Sequence, residues 1–172
     1  RRVLLVDTDL KKPAQHKIFE KPGSKGKSLT DYLDGKASMD EVMSYQKNGK
    51  IFTIFQKTGV HNSAKYLDSG RMKQFIRDSR NLVDYLILDS SPMSLASDTE
   101  LLMKLADTAV LIVRQDWTDI RAVNDAVDNI GQSGTDFSGF VLNVFQRESL
   151  FRNGQEYRYY GYRFGRRAEG RD

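Results

Sequence analysis

Apolar and polar positions along the chain fall into two rhythms that alternate. Short unbroken apolar runs ending in polar residues occur at Val3-Leu4-Leu5-Val6, Ile51-Phe52-Thr53-Ile54-Phe55, Tyr85-Leu86-Ile87-Leu88, Ala109-Val110-Leu111-Ile112-Val113 and Phe140-Val141-Leu142-Asn143-Val144. Runs of this kind predict strands of a parallel sheet covered on both faces. Between them, apolar residues return at three- and four-residue steps, as in Met72, Phe75 and Ile76 and in Ile120, Val123, Val127 and Ile130. That period predicts helices laying one face on the sheet. Ser38-Met39-Asp40-Glu41 and Ser97-Asp98-Thr99-Glu100 have capping-box spacing and predict two helix starts. Together these elements predict an α/β fold, a doubly wound, mostly parallel sheet with helices on both faces. The pattern holds over residues 1–146 with no repeat or dividing linker. Residues 147–172 lose the periodicity, are rich in Arg, Tyr and Gly, and read as a flexible tail.

Size and composition agree with one domain. A chain of 172 residues can bury a sizeable core, and 39% hydrophobic with 29% charged residues is the balance of a globular protein. No apolar run approaches the roughly 18 residues that span a bilayer, and no signal peptide opens the chain, so a membrane role would come through a partner. The absence of cysteine removes disulfide and thiolate chemistry and suits a reducing cytoplasm. In residues 147–172 seven arginines face four acidic residues, so this stretch carries three of the four net positive charges. The nearly neutral remainder argues against a dedicated nucleic-acid binder.

Ligands of open α/β sheets bind at the carboxyl ends of the strands. There the first run ends in Asp7-Thr8-Asp9, followed by Lys11 and Lys12, and the third ends in Asp89-Ser90-Ser91-Pro92. Adjacent strands would bring three carboxylates to one crevice, a set suited to Mg²⁺ among phosphate oxygens. A lone aspartate there can equally be a cap, but its recurrence after two separate strands favours a site. Gly26-Lys27-Ser28 resembles the end of a phosphate-binding P-loop; the loop requires glycine where Lys21 stands and an apolar strand before it, so Pro22 to Ser28 reads as a turn. His16 and His61 lack metal-ligand spacing and read as surface residues, and Trp117 reads as the anchor of a helix start.

Leu4-Leu5-Val6-Asp7-Thr8-Asp9-Leu10-Lys11 resembles the second Walker A-like motif of bacterial protein-tyrosine kinases of the capsule and exopolysaccharide type, and Leu86-Ile87-Leu88-Asp89 resembles their Walker B strand. The likeness continues through Lys12-Pro13, Ser28-Leu29-Thr30-Asp31-Tyr32-Leu33, Gly59, Asn62, Leu67-Asp68-Ser69-Gly70-Arg71-Met72, Asp98 and Val141-Leu142-Asn143. The family pattern has arginine at Lys11 and prolines at Ser63 and Ser91. The resemblance implies a P-loop NTPase-like fold related to the MinD and ParA ATPases, with ATP and Mg²⁺ as cofactors. It implies that Asp7 and Asp89 hold the metal through its waters, that Asp9 binds the metal or helps deprotonate the acceptor, and that Lys11, Asp89 and Asn143 contact the cofactor. The family's first strand and P-loop precede the strand ending at Asp7, so the resemblance implies that this chain by itself is an inactive portion.

Tyr157, Tyr159, Tyr160 and Tyr162 are half of the eight tyrosines. Family members end in such a cluster and phosphorylate it on neighbouring subunits, which implies phosphoacceptor roles here. The implied function is ATP-dependent tyrosine autophosphorylation controlling polysaccharide synthesis. The implied partners are a membrane-bound chain-length regulator and other copies of the chain, and the implied place is the cytoplasmic face of the membrane. The other readings are a MinD- or ParA-type ATPase, which lacks a tyrosine-cluster tail, and a non-catalytic adaptor or phosphoacceptor.

Overall fold

The computed structural model describes residues 1–19, 26–45, 50–93 and 97–146. The elements in chain order are β1 (Val3–Asp7), α1 (Gln15–Phe19), α2 (Leu29–Leu33), α3 (Met39–Val42), β2 (Met43–Tyr45), β3 (Ile51–Ile54), α4 (Ser63–Leu67), α5 (Gly70–Leu82), β4 (Tyr85–Asp89), α6 (Asp98–Met103), β5 (Thr108–Arg114), α7 (Ile120–Ser133) and β6 (Asp136–Asn143). The expected tail, with Tyr157, Tyr159, Tyr160 and Tyr162, lies outside the described residues.

β1 sits between β3 and β4, parallel to both, with Val6 opposite Ile54 and Asp7 opposite Asp89. A short antiparallel β2, not anticipated from the sequence, borders β3. Three residues with only Met43 and Tyr45 strongly apolar are too brief to register as a period. β5 and β6 form a second, two-stranded parallel sheet. β6 begins at Asp136, ahead of its apolar run, and ends at Asn143; Val144, expected within the strand, has φ 53° and leaves it.

The core lies on the larger sheet. Leu4 and Val6 pack with Leu29 and Leu33 of α2, Leu67 of α4, Phe75 and Ile76 of α5 and Leu102 of α6. Phe75 meets the Tyr32 ring edge-on at 5.6 Å. Met72, Phe75 and Ile76 are all buried, as their spacing predicts. In α7 burial falls on Ala126 and Ile130, while Ile120 is exposed.

Cover on both faces does not extend to β4, β5 and β6. Tyr85, Ile87, Val110, Ile112, Phe140 and Leu142 are about half exposed. Their strands are apolar on both faces, yet among the described residues β4 and β5 are packed on one face only, the end of β6 exposes Val141 as well as Phe140 and Leu142, and β4 and β5 share no ladder.

Of the two expected capping boxes, the first forms: Ser38 N donates to Glu41 Oε2 at 2.8 Å. The second does not. Ser97 is in the right-handed helical region without a side-chain cap bond, and Asp98 turns inward instead. Ser28 N donates to Asp31 Oδ2 at 2.8 Å, so the serine of the P-loop-like triplet starts α2. Trp117 does not anchor a helix start: it is 77% exposed beneath the Arg114 guanidinium, while Asp119 caps α7 through Arg121 N.

Candidate functional site

Parallel pairing of β1 with β4 puts Asp7 directly opposite Asp89 at the carboxyl ends of both strands. The pairing extends one step past the strands, where Thr8 donates to the Asp89 carbonyl from its backbone N at 2.8 Å and its hydroxyl at 2.6 Å. Asp7 is fully buried. Its Oδ2 accepts from the backbone N–H groups of Ala14 and Gln15 at 3.1 and 3.0 Å, which ties the start of α1 to the end of β1. Its Oδ1 is buried with no hydrogen-bond partner among the described residues. Burial raises the Asp7 pKa above the usual carboxylate range and the Asp89 charge adds to the rise, against the lowering by the backbone N–H groups of Gln15, Ala14 and Asp9.

Gln15 is a site residue that sequence reasoning missed. Its Nε2 donates to Asp89 Oδ2 at 2.5 Å while its backbone N–H holds Asp7. Eight residues separate it from Asp7 and no motif marks it; only the return of α1 over the strand end reveals it.

Asp9, expected to bind the metal or help deprotonate the acceptor, is fixed by hydrogen bonds from its own loop and from the loop after β4. Its Oδ1 accepts from Lys11 N at 3.2 Å, Lys12 N at 3.0 Å and the Ser91 hydroxyl at 2.7 Å. The carboxylate thus folds the loop after β1 and ties it to the loop after β4. Among the described residues no three His, Cys or carboxylate side chains converge as direct metal ligands, and the carboxylates set side by side are Asp7 and Asp89.

Lys11 is committed to a carboxylate. Its Nζ lies 3.1 Å from Asp98 Oδ2, which also accepts from the Ser63 hydroxyl at 2.6 Å. Asp98 is 2% exposed, so these two partners hold a charge that burial would otherwise penalise. The three positions that depart from the family pattern therefore all place donors on acidic groups: Lys11 and Ser63 on Asp98, Ser91 on Asp9. The capping-box spacing around Ser97 masked this role of Asp98. The loop is also fitted to Gly59, where an added Cβ would stand 2.4 Å from the Lys11 carbonyl, and Val60 N donates to the Leu10 carbonyl at 2.8 Å.

Beside this loop Lys12, Lys17 and Lys57 line a groove of about 450 Å³. Asn143 ends β6 in the smaller sheet, where its Oδ1 accepts from Val144 N at 2.8 Å. A hollow of about 180 Å³ lies next to it, lined by Arg114, Gln115, Asp116, Trp117, Val144 and Gln146. His61 is exposed as expected; His16 is half-buried rather than on the surface, with an unpartnered buried Nδ1, because α1 folds back towards the strand ends.

No family model matches the chain. Among proteins it is 27% identical over 150 residues to the tyrosine-protein kinase etk of Escherichia coli and 26% identical over 149 residues to the tyrosine-protein kinase ptk of Acinetobacter johnsonii, covering 87% of this chain in each case. It spans about a fifth of the length of those relatives, 20% of each. It is 26% identical over 142 residues to the tyrosine-protein kinase CpsD of Streptococcus agalactiae, of which it spans 62%. Among solved structures, the kinase domain of Escherichia coli ETK superposes with a TM-score of 0.78 at 27% identity, over 87% of this chain and 58% of that one. The MinD protein of Pyrococcus horikoshii, solved with Mg-ADP, superposes with a TM-score of 0.66 at 19% identity, over 83% and 57%, a likeness of fold alone. Over most of its length the chain is thus similar to bacterial tyrosine-protein kinases and shares the fold of their kinase domain.

Proposed function

We propose that this chain forms the greater part of the phosphoryl-transfer domain of an ATP-dependent bacterial protein-tyrosine kinase that phosphorylates its own tyrosine cluster and so controls capsule or exopolysaccharide synthesis. The Asp7–Asp89 pair carries this reading. Two carboxylates side by side, one fully buried with an oxygen that has no partner among the described residues, are costly unless a cation neutralises them. Mg²⁺ fits a site of this kind because it needs only one or two carboxylates and keeps several waters and phosphate oxygens.

Bound Mg²⁺-ATP would supply the phosphoryl group and the neutralisation of its charge. Asp7 and Asp89 are the residues that would hold the metal, through its waters. Asp9, set in place by Ser91 and two backbone N–H groups, is the candidate to take the proton of an acceptor phenol, whose ordinary pKa is about 10. Lys11 serves by holding Asp98, so the loop carrying Asp9 keeps its shape. Asn143, at the carboxyl end of β6 beside a small hollow, suits the base end of the nucleotide. No phosphate-wrapping glycine loop occurs among the described residues; the unpaired edges of β4 and β5 would receive the strand that brings one.

The acceptors are Tyr157, Tyr159, Tyr160 and Tyr162. Each phosphate adds roughly -1.5 to -2 charges, so two would cancel and three would reverse the charge of a segment carrying a net three positives, which could switch assembly between copies. A membrane-bound chain-length regulator as activator, and a position at the cytoplasmic face of the membrane, complete the proposal.

Phosphate incorporation from ATP, read by intact mass in the longest encoded form of the protein, tests it. Phosphate on Tyr157 to Tyr162 that disappears in Asp7→Asn is the expected result. ATP hydrolysis with unmodified tyrosines would favour the MinD-type ATPase reading, and neither activity would favour an adaptor.

A further inference from the structure

Gln15 spans the two carboxylates. Its backbone N–H lies 3.0 Å from Asp7 Oδ2, and its Nε2 donates to Asp89 Oδ2 at 2.5 Å, a close contact with a carboxylate acceptor. The first bond places the residue over Asp7, and the second draws its side chain across to Asp89. A carboxamide brings a partial positive charge but no net charge, so it satisfies one oxygen of Asp89 and leaves Asp7 Oδ1 buried and without a partner among the described residues. The neighbouring donors are otherwise engaged: the Thr8 hydroxyl with the Asp89 backbone carbonyl, Lys11 with Asp98 and Ser91 with Asp9.

We infer that the Gln15 carboxamide is an internal stand-in for the cation, occupying Asp89 until a divalent ion displaces it. The inference rests on the reading of Asp7 and Asp89 as a cation site and adds a gate to it. Gln15 is a positioning residue: it holds Asp89 beside Asp7 in the metal-free state and sets a threshold concentration for metal entry. Metal binding exchanges one hydrogen bond to a carboxylate for an ionic contact. A bond of that class is worth about tenfold in an equilibrium constant, so its removal should tighten metal binding by that factor. Replacing the side chain leaves the backbone N–H on Asp7 in place.

The test is a Mn²⁺ titration of the full chain without nucleotide, read by the electron paramagnetic resonance signal of free Mn²⁺, for the parent, Gln15→Ala, Gln15→Glu and Asp7→Asn. The expected result is binding about tenfold tighter in Gln15→Ala, tighter again in Gln15→Glu where a third carboxylate joins the pair, and lost in Asp7→Asn. Equal binding by the parent and Gln15→Ala, with Asp7→Asn weakened, would overturn the gate and leave the cation site standing. Equal binding by the parent and Asp7→Asn would remove the site and the gate with it. A second readout covers the case of a poorly folded variant. In the parent, the Gln15 side-chain amide signals should move towards those of a solvated glutamine as Mg²⁺ is added, with the midpoint shown by the Asp7 backbone amide. Gln15 signals that stay fixed while that of Asp7 moves would overturn the gate.

Discussion

Along β1, Leu4 and Val6 are fully buried, whereas along β5 Val110 and Ile112 are 54% and 57% exposed, although both strands are unbroken apolar runs. β1 is hydrogen-bonded to a strand on each side and roofed by α2, α4 and α5. Among the described residues β5 has one partner, β6, and α7 fully buries only Ala126 and Ile130 of its apolar residues. The polar groups divide in the same way. In the larger sheet Asp98 is closed in by Ser63 and Lys11, while beside the smaller one Asp107 pairs with Arg80 and remains 83% exposed. An apolar strand records how its faces are meant to be used; whether both are covered depends on what the chain places over them. Among the described residues the larger sheet is closed around β1 and its site, while its β4 edge and the smaller sheet each offer an apolar face and an unpaired edge.

The largest expected difference between the regions is in stability. Phe75→Ala should cost about 3–5 kcal/mol in equilibrium urea unfolding, since it removes a fully buried ring that packs on Tyr32. Ile112→Ala should stay within about 1 kcal/mol, because the side chain is largely in water. Equal losses at the two positions would mean that the face of β5 is covered in solution and would break the contrast.

The two ion pairs sharpen it at an intermediate scale. Asp98→Ala should lower stability by about 2–3 kcal/mol, since it leaves the buried Ser63 hydroxyl without its acceptor and frees Lys11. Asp107→Ala should fall within about 0.5 kcal/mol, the ordinary scale of an exposed pair. Thermal unfolding of the two variants side by side measures the ratio.

The last contrast is smaller than the first two and has the opposite sign. The raised Asp7 pKa means that the folded chain holds this proton more tightly than the unfolded chain does, so its contribution to stability is greatest below the ordinary carboxylate range and is lost as pH rises through the folded value. Asp7→Asn should therefore stabilise the metal-free chain by about 1 kcal/mol at neutral pH, where its amide can donate to Asp89 in place of the repulsion. The gain should shrink towards acid pH. Asp34, Glu41 and Asp84 act in the opposite sense: their lowered values stabilise above the ordinary range and lose that effect on acidification, so they remain as a background slope in both proteins. A neutral-pH loss in Asp7→Asn would show that Asp7 is already neutralised in solution.

Local pattern was enough to determine the five longer strands, the buried face of α5, the first capping box and the placing of Asp7 and Asp89 at strand ends, because an unbroken apolar run, a three- and four-residue step and a polar stop are written into neighbouring positions, whereas in α7 only Ile130 of the expected stripe is fully buried. Contacts between distant positions were decided only by the fold. Parallel register set Asp7 against Asp89, the return of α1 brought Gln15 onto both, and the approach of α4 and α6 turned Asp98 from an apparent cap into a buried anchor for Lys11 and Ser63. The same holds for the bare face of β4, β5 and β6. Burial belongs to pairs of surfaces, and a strand's own residues state only one member of the pair.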